Sequence, residues 1–446
     1  MSDSGSCIDV AIGGFEFETN FGQTLVMSIA SSLLLEHSDE VSNTEPRFSV
    51  LSAVLNLSAT ALGGGMLALP KAFANLGVLY GSFAILLVSL ATDLTLRWLV
   101  QCTHATGLHS YERLTEHLVG PTLRKLLHAF LVVLLFGACV AMMVVFVDSM
   151  PRLEGLSRVL VLILFAVLVF PICVPHELRT LSWISGASLA CLGYFYFLLS
   201  FKAVFSFPNS NEINWSGFPE DYPASTISLS VILSSFICHF NVFKIEQEMG
   251  NLPRTYTAIH WAILFICSAT YLSFGLAGYL LYGPEVDSNI LVSLQDDSVF
   301  VHVGKLGISM TNFVKFPLLL VPLRASLGEA FNWSETGHLH HRLALTGSII
   351  GFVTVTAMYL TDLMTLLGLL GSSAGVITAF IFPALLKMAL NHQRAEEVAR
   401  AQFMLEGTEP KIRVRENSLP CAVILISILV GISATWFSAL QVYRLG

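Results

Sequence analysis

Along most of the chain, apolar positions come in runs broken by short polar segments, and the runs reach the roughly 20 residues a helix needs to cross about 30 Å of hydrocarbon. They fall near 48–76, 78–101, 125–149, 157–175, 180–206, 224–248, 256–282, 302–327, 342–361, 364–390 and 419–441. The pattern predicts eleven transmembrane helices and an all-α polytopic membrane fold. The first and sixth runs are interrupted, and each begins a set of five. That spacing suggests two halves, about 48–206 and 224–390, with an eleventh helix outside the pattern.

Composition excludes the alternatives. The 446 residues are 54% hydrophobic and 12% charged, with a mean hydropathy of +0.71, whereas soluble domains carry about 25% charged residues. A net charge of −8 without a concentrated Lys and Arg face excludes nucleic acid as a partner. Eight cysteines are scattered singly, mostly inside apolar runs, and read as packing residues. The first 45 residues hold acidic side chains from Asp3 to Glu45 and no Lys or Arg, the reverse of a secretory leader. Residues 1–46 are therefore expected to be a cytosolic, disordered tail, ahead of a transmembrane domain over 47–446.

Basic residues are retained on the cytoplasmic side of short loops. A start with the N-terminus inside puts sixteen Lys and Arg, Arg324 among them, on that side and six on the other, with Lys315 inside a span. The expected topology is N-terminus cytosolic and C-terminus outside or lumenal. The outer segments 207–223 and 283–300 carry only acidic charges. Asn214-Trp215-Ser216 is then a glycosylation sequon on the outer side, whereas Asn332-Trp333-Ser334 falls on the cytosolic side and stays unmodified; chance accounts for either sequon as readily.

The first span reads Asn56-Leu-Ser-Ala-Thr-Ala-Leu-Gly63-Gly64-Gly65-Met-Leu-Ala-Leu-Pro70. Three consecutive glycines make a poor helix and a good break. Irregular backbone at membrane depth is tolerated only where it is buried in protein or lines a cavity. The N–H groups of the second half-helix then form an anion site suited to a carboxylate. Close helix packing is the competing reading, although glycines used for that purpose are usually four apart. The sixth span turns abruptly polar at Cys238-His239-Phe240-Asn241. It lacks a Gly or Pro before Gly250, so a continuous helix with a polar cytosolic end competes with a break whose freed carbonyls hold an ammonium group. His239 alone is more often a hydrogen-bonding partner than a proton carrier.

Other polar residues carry less. Asp93 and Arg97 form an i, i+4 pair; Asp148 and Asp362 sit at span ends as solvated carboxylates, and Glu246 and Glu248 are expected at the interface. Gly371-Ser-Ser373-Ala-Gly375 imitates a nucleophile elbow without the strand-turn-helix context that motif needs, and reads as a packing face. Gly63-x-Gly65-x-x-Ala68 imitates a dinucleotide fingerprint without a preceding strand.

Asn56 to Pro70 with Ala72-Phe73 and Gly77 resembles the first-helix signature of the amino acid/auxin permease family. Phe236 to Glu248, Arg254 and Gly278 to Gly283 are similar to its sixth and seventh helices, Phe316-Pro317 and Pro322 to Ser326 to its eighth, and Gly368 to Gly375 with Pro383 to its tenth. The resemblance covers about 48–441 and looks closest to the sodium-coupled neutral amino acid transporter branch. It implies a LeuT/APC-like fold of two inverted five-helix repeats plus an eleventh helix, with broken helices 1 and 6 around a central amino-acid site. On this sequence the implied substrate residues are Thr60, Gly63, Gly64, Gly65, Phe236, Cys238, His239, Phe240, Asn241 and Asn312. Phe136, Cys139 and Phe316 are candidates for the pocket walls.

The coupling ion is where the sequence departs from that branch. Sodium-coupled members resemble one another in an Asn three residues after the Asn matched by Asn56, a position held here by Ala59. Near a hydroxyl position of their eighth helix stands Lys315, mid-span, where a charge costs at least about 2.5 to 3.5 kcal/mol and must face a cavity or a partner. Snorkelling is the alternative for Lys315 if the span is displaced by half a dozen residues. The expected ion-coupling residues are thus Asn56, Ala59 and Lys315, the ammonium standing in for sodium and its proton available for coupling.

The function expected is secondary active transport of small or neutral amino acids by alternating access, proton-coupled or sodium-independent. Two alternatives stand beside it: an amino-acid sensor signalling through its acidic tail, and a sodium-coupled symporter. No cluster of His, Asp or Glu within the spans supports an enzyme. Expected partners are an amino acid and the bilayer, with H+ or Na+ as coupling ion, no cofactor and no metal, in the plasma membrane or in a vacuole or lysosome.

Overall fold

The computed structural model describes residues 49–150, 157–174, 182–205, 215, 221–295, 298–330, 339–406 and 417–445. Asn214 and Ser216 of the first sequon, the whole of the second and the acidic tail lie outside the described residues. Two compact units are distinguished: one of Pro46–Asn391 with Arg415–Gly446, and a second that includes His392–Val414. In the second, 392–406 is helical, with His392 and Arg400 each paired to Glu396, at 3.0 and 3.5 Å.

The larger unit is all-helical among the described residues. The first run forms α1 (Val50–Ala61) and α2 (Leu69–Leu76), joined by a 3-10 turn over Gly64–Ala68. Next come α3 (Val78–Thr106), a short α4 (Tyr111–Val119), α5 (Pro121–Ser149), α6 (Arg158–Cys173) and α7 (Ser182–Phe205). The sixth run gives α8 (Tyr222–Ser235) and α9 (Val242–Met249); the seventh gives α10 (Leu252–His260) and α11 (Ser268–Tyr282) around a π-helical stretch, Trp261–Cys267. The remainder are α12 (Ile290–Ser293), α13 (Val299–Ala330), α14 (Leu339–Tyr359), α15 (Leu363–Leu370), α16 (Phe382–Glu406) and α17 (Ser418–Leu445).

Among the described residues, nine helices are long and apolar enough to cross a membrane, and ten if the α1–α2 pair, bent by 50°, is one span. Each predicted run is matched by a helix or a helix pair, but α6 has only 16 residues and falls short of a full span by length. Leu, Val, Ile and Phe side chains stay exposed along α3, α6, α7 and α17, as a lipid-facing surface requires and a soluble one does not tolerate.

Several packing relations place the breaks. The first half of the sixth span, α8, lies against α2, α15 and α17, α2 packs on α11, and α13 packs on α5 and α7. Close approach is made possible at Gly371, where a Cβ would collide with the Ser230 carbonyl, and at Gly375, where it would meet Ile237 Cδ1 at 2.6 Å. The Gly371–Gly375 segment is thus a packing face, as its small residues predict.

Two sequence readings are corrected. Asp148 is not a solvated end group: its side chain is 7% exposed, Arg158 donates to it at 2.6 Å and Asn289 at 3.0 Å. Glu246 is not interfacial but buried, at 4% side-chain exposure, with His109 at 2.6 Å and His104 at 3.6 Å. Arg324 lies in α13, within the eighth predicted run, and its buried guanidinium donates to the carbonyls of Cys173 at 2.6 Å and Val174 at 3.3 Å, where α6 ends. All three are charges drawn inward by partners that lie far away in sequence.

Candidate functional site

The first break starts where Leu62 N–H closes on the Ser58 carbonyl at 2.7 Å and Gly63 turns to extended backbone, φ −133° and ψ −154°. Helical backbone resumes at Gly64, and Pro70 occupies the first turn of α2, where its missing N–H costs nothing. A helix start leaves its first N–H groups without intrahelical acceptors, and Gly63 has no side chain to cap them. The three glycines do different work. Added Cβ atoms at Gly63 and Gly64 would meet nothing nearer than 3.9 and 3.8 Å, whereas one at Gly65 would lie 2.6 Å from Ser235 Oγ and 3.0 Å from Ser235 Cα. Gly65 therefore lets the two broken spans touch, and Gly63 and Gly64 leave room.

The sixth span does break, without Gly or Pro. After Ser235 the backbone leaves the helix at Phe236 and Cys238, a 3-10 turn runs over His239–Asn241, and α9 follows. Buried anchors hold the irregular stretch in place. Phe236 packs edge-on against Tyr271 at 4.9 Å, Cys238 is fully buried, and His239 Nε2 shares a hydrogen bond of 2.9 Å with Thr95 Oγ1 of α3. His239 Nδ1 is buried without a partner among the described residues. Phe240 turns outward and is 41% exposed.

The two breaks meet. Asn241 Nδ2 donates to Thr60 Oγ1 at 2.8 Å and to Asn56 Oδ1 at 3.3 Å. The Thr60 hydroxyl in turn donates to the Asn56 carbonyl at 2.9 Å. Tyr271, on α11, places its hydroxyl 2.6 Å from the Ala61 carbonyl and 2.6 Å from the Ser235 carbonyl, the last residues of α1 and α8. The result is a pair of helix breaks side by side, with the uncapped N–H groups of Gly63–Gly65 at partly buried positions and the end carbonyls of α1 and α8 buried on Tyr271.

Other predicted residues have partners of their own. Asn312 Nδ2 donates to Ile308 O of its own helix at 2.8 Å, Phe316 packs on Phe165 at 5.2 Å, and Phe136 packs on Phe352 at 5.3 Å. Cys139 is fully buried. Lys315 stands near the middle of α13 and is half-buried, and no hydrogen bond or ion pair joins it to Asn56, Ala59 or a carboxylate among the described residues. Asp93 pairs with Arg97 at 3.0 Å as its spacing predicts, and His260 extends the group, 2.8 Å from Arg97.

Tyr271 and Thr95 escaped the sequence reading. A tyrosine inside an apolar span carries a hydroxyl that needs a partner at depth, and that signal was present in Ser268-Ala-Thr-Tyr271. Elsewhere, a cavity of about 1060 Å³ is lined by Asp148, Arg158, Asp287, His302, Lys305 and Asp362, among others, and carries charges of both signs.

The family model for transmembrane amino acid transporter proteins matches residues 46–406. Vacuolar amino acid transporter 5 of Schizosaccharomyces pombe is 29% identical over 359 residues, 77% of this chain and 85% of its own. Sodium-coupled neutral amino acid transporter 7 of Xenopus laevis is 23% identical over 375 residues, 78% of this chain and 82% of its own. Among solved structures, a Na+-coupled sialic acid symporter in a substrate-bound outward-open state aligns with a TM-score of 0.53 at 10% identity, covering 94% of this chain and 97% of that one. A manganese transporter of Eremococcus coleocola aligns with a TM-score of 0.52 at 11% identity, over 97% of this chain and 98% of that one. Likeness at such identities speaks for the fold alone.

Proposed function

Because the chain belongs to the family of transmembrane amino acid transporter proteins, we propose that it is a secondary active transporter of small or neutral amino acids that binds its substrate where the first and sixth spans break. The observation that carries this reading is the meeting of the breaks, with Gly65 against Ser235 and Asn241 bonded to Thr60 and Asn56. The substrate carboxylate takes the N–H groups of Gly63, Gly64 and Gly65, and the ammonium lies along the broken stretch Cys238–Asn241 of the sixth span. The architecture belonging to this reading has eleven spans in two inverted five-helix repeats plus α17, counts the short α6 as a span, and has a cytosolic N-terminus. Alternating access then exposes one site to each side in turn, and the reaction needs no covalent step.

For the coupling ion, Ala59 offers no side-chain oxygen to sodium, and Lys315 brings a positive charge to mid-membrane. Transport is therefore read as sodium-independent and driven by protons. One observation favours a second reading: the Xenopus relative is named as sodium-coupled. Uptake of a labelled amino-acid panel into proteoliposomes, in sodium or choline, with and without an inward proton gradient, separates the two. Uptake in choline that follows the proton gradient is expected. Stimulation by sodium would transfer the coupling to the second reading, and binding without uptake would remove transport altogether.

A further inference from the structure

We propose that Tyr271 is a positioning residue for transport: its hydroxyl clasps the ends of α1 and α8 so that the two breaks move as one. The inference rests on the transporter reading above and names a residue that reading does not use.

Ala61 and Ser235 end their helices, and the last carbonyls of a helix have no intrahelical donor. Within hydrocarbon such groups must be satisfied by protein. Tyr271 comes from a third span, is fully buried, and stands 2.6 Å from both carbonyl oxygens. The hydroxyl carries one hydrogen for two acceptors, so the proton is shared and neither break is served alone. The ring cannot swing freely, because Phe236 packs edge-on against it at 4.9 Å and an interplanar angle of 83°. Displacing α1 from α8 thus costs one of these bonds, and the tight Gly65–Ser235 approach resists shear at the same level. A tyrosine filling space alone would need its ring only, whereas the clasp needs the donor.

The test compares Tyr271→Phe with a variant carrying 4-aminophenylalanine at position 271, whose amine supplies one N–H to each carbonyl. Initial uptake rates are measured in proteoliposomes and the Kd for the same labelled amino acid by direct binding to purified protein. Tyr271→Phe is expected to lower the maximal rate about tenfold while Kd changes less than about threefold, and the amine to hold the rate within about threefold of wild type. Unchanged rates in Tyr271→Phe, a parallel loss of rate and affinity, or equal loss in both variants would overturn the clasp. Phe236→Leu keeps the hydroxyl but frees the ring, and decides the matter if Tyr271→Phe does not fold. The same split of rate from Kd supports the clasp, and wild-type values for both refute it. A wild type without uptake removes the transporter reading and the clasp's role with it; wild-type uptake with unaltered Tyr271→Phe kinetics removes the clasp alone.

Discussion

The side-chain amide of Asn241 donates to the hydroxyl of Thr60 at 2.8 Å, across 181 positions of sequence, and fastens the break of one span to the helix before the break of another. The same amide reaches Asn56 Oδ1 at 3.3 Å. Three partly buried polar side chains on two spans thus hold one another, which favours a single arrangement of the site.

If that arrangement orients the substrate groups, Asn241→Ala and Thr60→Val each weaken binding by about 3- to 10-fold, the size of one or two lost hydrogen bonds. The double variant loses less than the product of the two, because both remove the same bond. Direct binding of a labelled amino acid to the four proteins checks this, and strict additivity would contradict it.

Neighbouring glycines are expected to differ sharply. Gly65→Ala forces a Cβ to 3.0 Å from the Ser235 backbone and separates the two spans, whereas Gly64→Ala meets only Val145 Cγ2 at 3.8 Å. The first variant loses about 1–3 kcal/mol to overpacking and the second stays near wild type in thermal unfolding of the detergent-solubilised protein.

Lys315 tests the coupling. The half-buried Lys315 has no carboxylate partner among the described residues, so Lys315→Met removes a charge without orphaning an acid. Uptake by this variant is expected to lose its response to a proton gradient imposed across the proteoliposome membrane. Undiminished stimulation would separate the lysine from coupling.

The Asp148–Arg158 pair predicts a stability effect away from the breaks. Asp148 is 7% exposed but Arg158 is 35% exposed, so solvent takes up part of the cost of removing either one. Asp148→Ala is expected to destabilise by about 1–3 kcal/mol, less than the 3–5 kcal/mol of a fully buried pair. Replacing both residues should cost less than the two single changes added together, as a thermal-unfolding cycle would show.

The break at Gly63–Gly65 was legible because glycine acts on the backbone locally, and the spans because lipid selects for length and apolarity. The sixth break was only half legible. Nothing in Phe236–Asn241 breaks a helix by propensity; it is held open by Thr95 on His239, Tyr271 on the Ser235 carbonyl and Thr60 on Asn241, all distant in sequence. Burial of Asp148 and Glu246 is illegible for the same reason, since their positions near span ends resemble those of solvated charges until Asn289 and His109 come into contact. For Asn312 and Phe316 the sequence shows no partner, and it is the packing of α13 that sets the Asn312 amide on Ile308 O and Phe316 on Phe165 of α6.

The central claim is that the amino acid sits in the opening left by the first break. A Cβ added at Gly64 meets only Val145 Cγ2, at 3.8 Å, so Gly64→Leu puts a side chain beside the break while leaving the Gly65–Ser235 contact in place. Uptake of the labelled amino acid by Gly64→Leu and wild-type proteoliposomes, with thermal unfolding of both proteins as control, is the most direct measurement. A folded variant that no longer binds or takes up the amino acid is the predicted result, and a folded variant with wild-type uptake and affinity would contradict the account.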